Sequence, residues 1–140
     1  MLVVTPERHQ EFAERITRSL EKVTVTDYEA VIEASMLAGT HWFNVALHRM
    51  ELSVADNDVL HVEFMVVHER LKAWLMAPCM VEALERIENM RGLHVRGNAE
   101  GGEKAASDAI HCLGLIRETA LDAVPLGLTS PQLGHVSLND

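Results

Sequence analysis

The stretch that decides the fold is residues 28–52, YEAVIEASMLAGTHWFNVALHRMEL, a long run without proline. One apolar row recurs every seven residues along it and comprises Val31, Ala38, Val45 and Leu52. A second apolar row lies on another side of the same predicted helix and comprises Met36, Phe43 and Met50. A helix that is apolar on two faces is either the buried helix of a bundle or one that faces both the core and a partner subunit.

Another helix precedes this stretch, and both helices begin at residues with capping chemistry. Thr5 is placed to N-cap the first helix, predicted over residues 6–23, because the proline that follows suits the first helical position. Thr26 and Glu29 form a capping box, in which each side chain accepts from the other residue's backbone N–H. We therefore predict that the second helix begins here and continues to about residue 52.

Two more helices are predicted after the second. A polar turn at residues 53–58 precedes the third helix, which Pro78 must kink or break because proline cannot continue the hydrogen-bond ladder. Gly92 is placed to be the C′ residue that ends this helix. After a glycine-containing loop at residues 93–102, the fourth helix is predicted over residues 103–124.

Four helices joined by two short turns and one longer loop predict an all-α fold, an up-down four-helix bundle over residues 1–124. The tail, residues 125–140, still carries several leucines and a valine, more than a flexible tail normally has. We therefore expect the tail to pack on the bundle or on a partner subunit. Trp42 and Trp74 fall on or beside apolar rows, so both are expected to be substantially buried.

The bulk properties exclude several classes of protein. The chain has 140 residues, the usual size of one domain, and a formal net charge of −9. An acidic surface repels phosphate backbones and anionic membranes, so we expect neither nucleic acid nor a membrane as a partner. Cys79 and Cys112 are too few for a disulfide framework and are expected to be buried thiols. Without a signal-peptide pattern or an apolar run of about 20 residues, we expect a cytoplasmic protein.

Histidine is the residue type with the most chemical interest. The chain has eight histidines, and two pairs are spaced seven residues apart, His41 with His48 and His61 with His68. Folding the chain about its predicted turns places His9 level with His41 and His68 in one layer of the bundle. The same construction places His48 level with His61 in a second layer, nearer the turn between helices 2 and 3.

Imidazoles that converge from neighbouring helices predict a site for a divalent transition metal, because axes about 8–10 Å apart let two rings reach one ion. The candidate ligands are His9, His41, His68, His48 and His61, and the nearest carboxylates along the chain are Glu29, Glu33, Glu63 and Glu69. The alternative interpretation is that these histidines lie at the core edge, bonded to backbone or carboxylate groups. No nucleophile elbow, Walker motif or His-Glu-x-x-His motif predicts a catalytic residue.

The pattern of residues 34–44, ASMLAGTHWFN, followed by a polar turn and His61, resembles the HEPN domain family of four-helix bundles. The likeness covers roughly residues 26–122 and concerns a second helix rich in small residues. Nuclease members of that family carry an arginine followed by four to six residues and a histidine, a spacing that no arginine of this chain shows. The resemblance therefore implies a non-catalytic helical domain that dimerises and binds a partner or a nucleotide.

The leading interpretation is a non-catalytic binding or interaction module that works as a homodimer through apolar faces of helices 2 and 4. The second apolar row and the apolar tail motivate it, since they are more apolar surface than one small bundle needs to bury. The alternative, from a different class, is a metal- or haem-binding bundle that uses the histidines of helices 1–3, with redox or hydrolytic activity as an option.

Overall fold

The computed structural model describes residues 5–52 and 73–125, and within these ranges it contains helices and no strand. The four α-helices are α1 (Pro6–Leu20), α2 (Tyr28–Arg49), α3 (Pro78–Met90) and α4 (Gly102–Asp122). A π-helical segment (Arg91–Arg96) directly continues α3, and residues 73–76 are also helical. The prediction of an all-α fold is confirmed.

The start of α1 follows its sequence signal, and its end does not. The backbone N–H of Arg8 donates to Thr5 Oγ1 over 3.2 Å, so the predicted N-cap is present. The helix ends at Leu20, three residues before the predicted end. The N–H groups of residues 21–23 each bond to the carbonyl three residues earlier, which tightens the last turn and ends the α-helical ladder.

The start of α2 differs from the predicted capping box. Asp27 is the N-cap residue, and its carboxylate accepts from the backbone N–H of Thr24 instead of capping the helix. The Thr26 hydroxyl pairs with the hydroxyl of Thr24, so it is engaged in the preceding turn. The helix ends at Arg49, because Glu51 adopts a positive φ of 60° that an α-helix cannot continue.

Helix α2 is the central element of the described chain and packs against α1, α3, α4 and the π-helical segment. Both of its apolar rows are buried inside this one chain, including Met36, Phe43 and Met50. The second row is therefore core and is not left over for a partner subunit. Gly39 permits a close approach, since a Cβ there would lie 3.4 Å from the side chains of Ile116 and Leu84.

The third predicted helix is broken where proline requires it. Ala77 leaves the helical conformation, with φ −146° and ψ 64°, and Pro78 occupies the first turn of α3. Trp74, which lies before the break, is 42% exposed, so the expectation that both tryptophans are buried is wrong for this residue. Trp42 is completely buried, as expected.

The α-helical part ends at Met90 with Arg91 as its C-cap, so Gly92 occupies the predicted C′ position, but it does not end the helical path, because the chain continues as the π-helical segment to Arg96. The terminating glycine is instead Gly97, where a Cβ would lie 2.8 Å from the carbonyl oxygen of Leu93. The N–H of Ala99 donates to that same carbonyl over 3.0 Å and closes the turn. The predicted loop at 93–102 is correspondingly shorter, and α4 begins at Gly102.

Several predictions fall outside the described residues. They concern the turn at 53–58, the third helix up to residue 72, the carboxylates of Glu63 and Glu69, the histidines His61 and His68, and the tail from residue 126 to 140. Across 5–52 and 73–125, none of the helices combines the length and the apolarity that a membrane span requires.

Candidate histidine site

The structure brings His9 of α1 and His41 of α2 into direct contact. Their Nδ1 atoms are 2.9 Å apart, and the ring centroids are separated by 5.1 Å with the planes tilted by 45°. His9 is 3% exposed, which makes it one of only two buried residues on α1, together with Ala13. The level placement of His9 and His41 expected from the turn positions is therefore present as contact between two rings.

His48 is the third ring of this group, although the sequence geometry assigned it to a separate layer with His61. Its ring stacks on that of His9, with centroids 5.7 Å apart and planes inclined by 27°. Positions 41 and 48 lie seven residues apart, two turns along one face of α2. His48 therefore joins the layer of His9 and His41, because the ring of His9 contacts both the His41 ring and the His48 ring. We call His9, His41 and His48 the histidine group.

Phe12 closes one side of the histidine group. It lies one turn after His9 on α1, and its ring centroid is 5.2 Å from that of His41. The guanidinium groups of Arg8 and Arg15 lie over the Phe12 ring, 4.8 and 5.4 Å from its centroid. The aromatic ring therefore separates the imidazole of His41 from two cations, which stay on the outer surface of α1.

Arg49 and Gln10 form a polar bridge beside the histidine group, and the sequence pattern did not single them out. Arg49 Nη2 donates to Gln10 Oε1 over 2.7 Å, and Arg49 Nη1 donates to the carbonyl oxygen of Ala120 over 3.0 Å. Each residue directly follows a histidine of the group, Gln10 after His9 and Arg49 after His48. That adjacency is the only sequence signal that points to them.

The contact between two Nδ1 atoms constrains the protonation of the pair. One Nδ1 must carry a hydrogen and the other must accept it, so two neutral rings in contact must be different tautomers. If both rings were protonated, each Nδ1 would carry a hydrogen and no acceptor would remain. The pair therefore requires at least one neutral imidazole, which is also the form that binds metal ions.

The same separation fits two ligands of one ion. Two imidazole nitrogens bound to one ion at about 2.0–2.1 Å, with ligand–metal–ligand angles of about 90–110°, lie roughly 2.9–3.4 Å apart. In the part of the chain that the structure describes, no group of three or more histidine, cysteine, aspartate or glutamate residues is placed to hold a metal. The described residues thus offer two imidazole nitrogens, the Nδ1 atoms of His9 and His41, to one ion.

Of the carboxylates predicted nearest to the site, the two that the structure describes, Glu29 and Glu33, do not belong to it. Glu33 is ion-paired with Arg91, and lies eight residues before His41, about 12 Å along the axis of α2. Glu29 is exposed in the first turn of α2, about 18 Å from His41 by the same measure. Both residues are close to His41 along the chain, but the rise of the helix places their carboxylates too far from the His41 ring to bind the same ion.

The two cysteines lie in different environments, and only one matches the expectation. Cys112 is buried in α4, whereas Cys79 is exposed at the start of α3. Desolvation by burial is the largest influence and raises the pKa of the Cys112 thiol, the guanidinium of Arg86 comes next and lowers it, and the carboxylates of Asp108 and Glu82 raise it by less. Neither thiol lies in the histidine group.

Comparisons with known proteins do not assign this site. No protein-family model matches the chain, and neither a curated protein nor a solved structure matches it.

Proposed function

We propose that this chain is a transition-metal-binding helical protein in which His9 and His41 each supply an Nδ1 ligand to one divalent ion. The observation that carries the proposal is the 2.9 Å separation of these two nitrogens. Burial also bears on it, because His9 is 3% exposed and its ring packs against those of His41 and His48. Zinc, copper and iron all accept imidazole ligands, so the proposal concerns this class of ion.

The remaining ligands are proposed on different grounds. His48 belongs to the site as a stacked ring that holds His9 in place and can present a nitrogen after a rotamer change. His61 and His68 stay candidates through their sequence spacing alone. Haem is disfavoured as a ligand of the pair, because a porphyrin between two axial histidines would not allow their nitrogens to lie 2.9 Å apart.

The wider proposals about fold and setting rest on the sequence. They are an up-down order of the helices, a HEPN-like second helix and a cytoplasmic location. Helix α2, with buried small residues such as Ala38 and Gly39, is compatible with the HEPN-like pattern. The absent arginine–histidine spacing keeps ribonuclease activity outside the proposal.

Titration of the tag-free protein with Co²⁺ tests the metal proposal, because Co²⁺ absorption bands report the coordination geometry and Zn²⁺ competition gives the affinity. We expect binding at one site, weakened at least about tenfold in His41→Ala and in His9→Ala. His111→Ala is the matched control, since His111 is exposed on α4 and its loss leaves the histidine group intact. Absence of Co²⁺ bands in the parent, or equal affinity in His41→Ala and His111→Ala, would rule the proposal out.

A second candidate function is the non-catalytic homodimeric interaction module. It is favoured by an exposed face of α2 that carries Leu37 and borders the buried second row at Met36. Leu37 there is 53% exposed and borders a groove of about 520 Å³. The groove is lined by Ala30, Glu33, Ala34, Met36, Leu37, Thr40 and Arg91. Helix α4 also leaves Ile110 and Leu121 partly exposed.

Light scattering at micromolar concentration tests the dimer. We expect the parent to have twice the mass of the chain and Leu37→Glu to have the monomer mass, because a buried carboxylate on an apolar contact is costly. Glu103→Leu would serve as a control that changes charge on the exposed start of α4 without touching this face. A monomeric parent would exclude the homodimer.

A further inference from the structure

One arginine links three helices at the edge of the histidine group. The guanidinium of Arg49, at the C-terminal end of α2, donates to the side chain of Gln10 on α1 and to the backbone of Ala120 on α4. Gln10 in turn donates from Nε2 to Glu14 Oε1 over 3.3 Å. The amide of Gln10 is therefore held at both ends, with its oxygen toward Arg49.

The bond to α4 suits the electrostatics of a helix end. Ala120 lies in the last turn of α4, at the negative end of the helix dipole, and its carbonyl accepts from the backbone N–H of Ala123 as well as from Arg49. A guanidinium is planar and always charged, so it can donate two bonds in fixed directions at once. Arg49 therefore connects α1 to a rigid position at the end of α4.

The bond to α1 acts next to the site. His9 and Gln10 are consecutive on α1, and His48 and Arg49 are consecutive on α2. A hydrogen bond between Gln10 and Arg49 limits sliding and rotation of α1 against α2 beside the rings. On α1 only His9 and Ala13 are buried, and the apolar side chains of Ile16 and Leu20 are half-buried against the core, so the bond from Gln10 adds a directional restraint to this packing. A shift of about 1 Å between the helices is enough to spoil a ligand geometry.

We propose that Arg49 is a positioning residue for the metal site, which sets the register of α1 on α2 so that His9 Nδ1 meets His41 Nδ1 and ties that register to the end of α4. This inference rests on the proposed metal-binding function. It goes beyond that function by assigning a role to a residue that binds no metal itself. It also makes the C-terminal end of α4 a place from which the affinity of the site can be altered.

The test compares three variants with the parent. Arg49→Met keeps an unbranched stem and removes both hydrogen bonds, whereas Arg49→Lys keeps the charge without the two-pronged geometry. Arg117→Met is the matched control, since Arg117 is exposed on α4 and stacks over Trp42 without reaching α1. The readouts are the Co²⁺ affinity, the melting temperature, and ¹⁵N-detected NMR of the imidazole Nδ1 atoms in the metal-free protein.

We expect Arg49→Met to weaken Co²⁺ binding about tenfold or more, and Arg49→Lys to give an intermediate value. The Nδ1 signals of His9 and His41 should lose their donor–acceptor asymmetry in Arg49→Met and keep it in Arg117→Met. Gln10→Leu removes the bond between Arg49 and α1, together with the Gln10–Glu14 bond inside α1, and keeps the bond from Arg49 to Ala120. It should reproduce the effect of Arg49→Met, which provides a second variant if Arg49→Met folds poorly.

Parent-like Nδ1 signals in both Arg49→Met and Gln10→Leu would overturn the inference, even if the melting temperature fell. The NMR readout needs no metal, so it decides the role of Arg49 separately from the metal proposal. A parent that binds no Co²⁺, with Nδ1 signals that still depend on Arg49, would refute the metal site and leave Arg49 as the residue that positions the histidine pair.

Discussion

Helix α2 meets α1 on one side and α4 on another, and the two contacts are built from different chemistry. The contact with α4 uses small and apolar residues, among them Gly39, Ala106, Ala109 and Ile116, all buried. The contact with α1 is built around the rings of His9 and His41 and the bridge from Arg49 to Gln10. The stability of the fold should therefore depend mainly on the contact with α4, and the proposed metal binding on the contact with α1.

The difference follows from how much each neighbour buries. Helix α4 has eight buried residues, whereas α1 has two, His9 and Ala13. Apolar burial contributes about 25 cal/mol per Å², so a helix with little buried surface depends more on specific polar contacts. Such a helix can move without loss of the core, which suits a contact whose geometry responds to a ligand.

The largest expected effect separates the two tryptophans. Trp42→Ala should lower the free energy of unfolding by about 3–5 kcal/mol, because this side chain is fully buried in the core. Trp74→Ala should lower it by clearly less, since Trp74 is 42% exposed and its truncation removes less buried apolar surface. Urea denaturation followed by circular dichroism measures both, and a large loss in Trp74→Ala would contradict the burial described here.

Enlarging a glycine tests how closely α2 approaches α4. Gly39→Leu should cost about 1–3 kcal/mol, because the added side chain meets Ile116, Leu84 and Ile87 within 4 Å of its Cβ. Gly114→Leu is the control, since a Cβ at that position on α4 meets nothing within 4 Å. The same urea titration compares them, and equal stability of the two variants would mean that the contact is not tightly packed.

Removing the cap of α1 tests the other contact. Thr5→Ala should cost about 1 kcal/mol of helix stability, because the Arg8 N–H loses its acceptor. Hydrogen exchange should show faster exchange confined to α1, while α2 and α4 remain protected. If exchange quickened equally in α4, the two contacts would be one cooperative unit and the comparison would fail.

The smallest expected effect is on thiol reactivity, with no change in stability. The thiolate is the reactive form, so a raised pKa leaves less reactive Cys112 at any given pH and moves its reaction to higher pH. At mildly alkaline pH, a thiol-specific reagent should label one cysteine per chain quickly, and Cys79→Ser should abolish that fast phase. Fast labelling of both cysteines would show that the Cys112 thiol is accessible to the reagent.

Local signals were sufficient where one residue type dictates the backbone. Thr5 capped α1 as its side chain predicts, and Pro78 began a new helix because it lacks a backbone N–H. The end of the π-helical segment that follows α3 was not predictable in this way. Gly92 tolerates a helical position, and only the approach of Gly97 to the Leu93 carbonyl decides where the turn closes.

The histidine group was likewise predictable in part from the sequence and in part not. Counting residues about the turn placed His9 level with His41, because helical rise per residue is constant. It could not supply the rotation of each helix about its axis, which decides whether level residues face each other. His48 joined the group for that reason. Glu33 is instead excluded by distance, since it lies about 12 Å along α2 from His41 and pairs with Arg91.

By itself the sequence determined an all-α chain, the central helix α2, the cap of α1 and the break at Pro78. These features depend on periodicity and on backbone chemistry within a few residues. Only the tertiary structure decided that the second apolar row is core, that Trp74 is exposed and that Arg49 reaches both Gln10 and Ala120. Each of these depends on how helices distant in sequence rotate and pack, and no local pattern encodes that rotation.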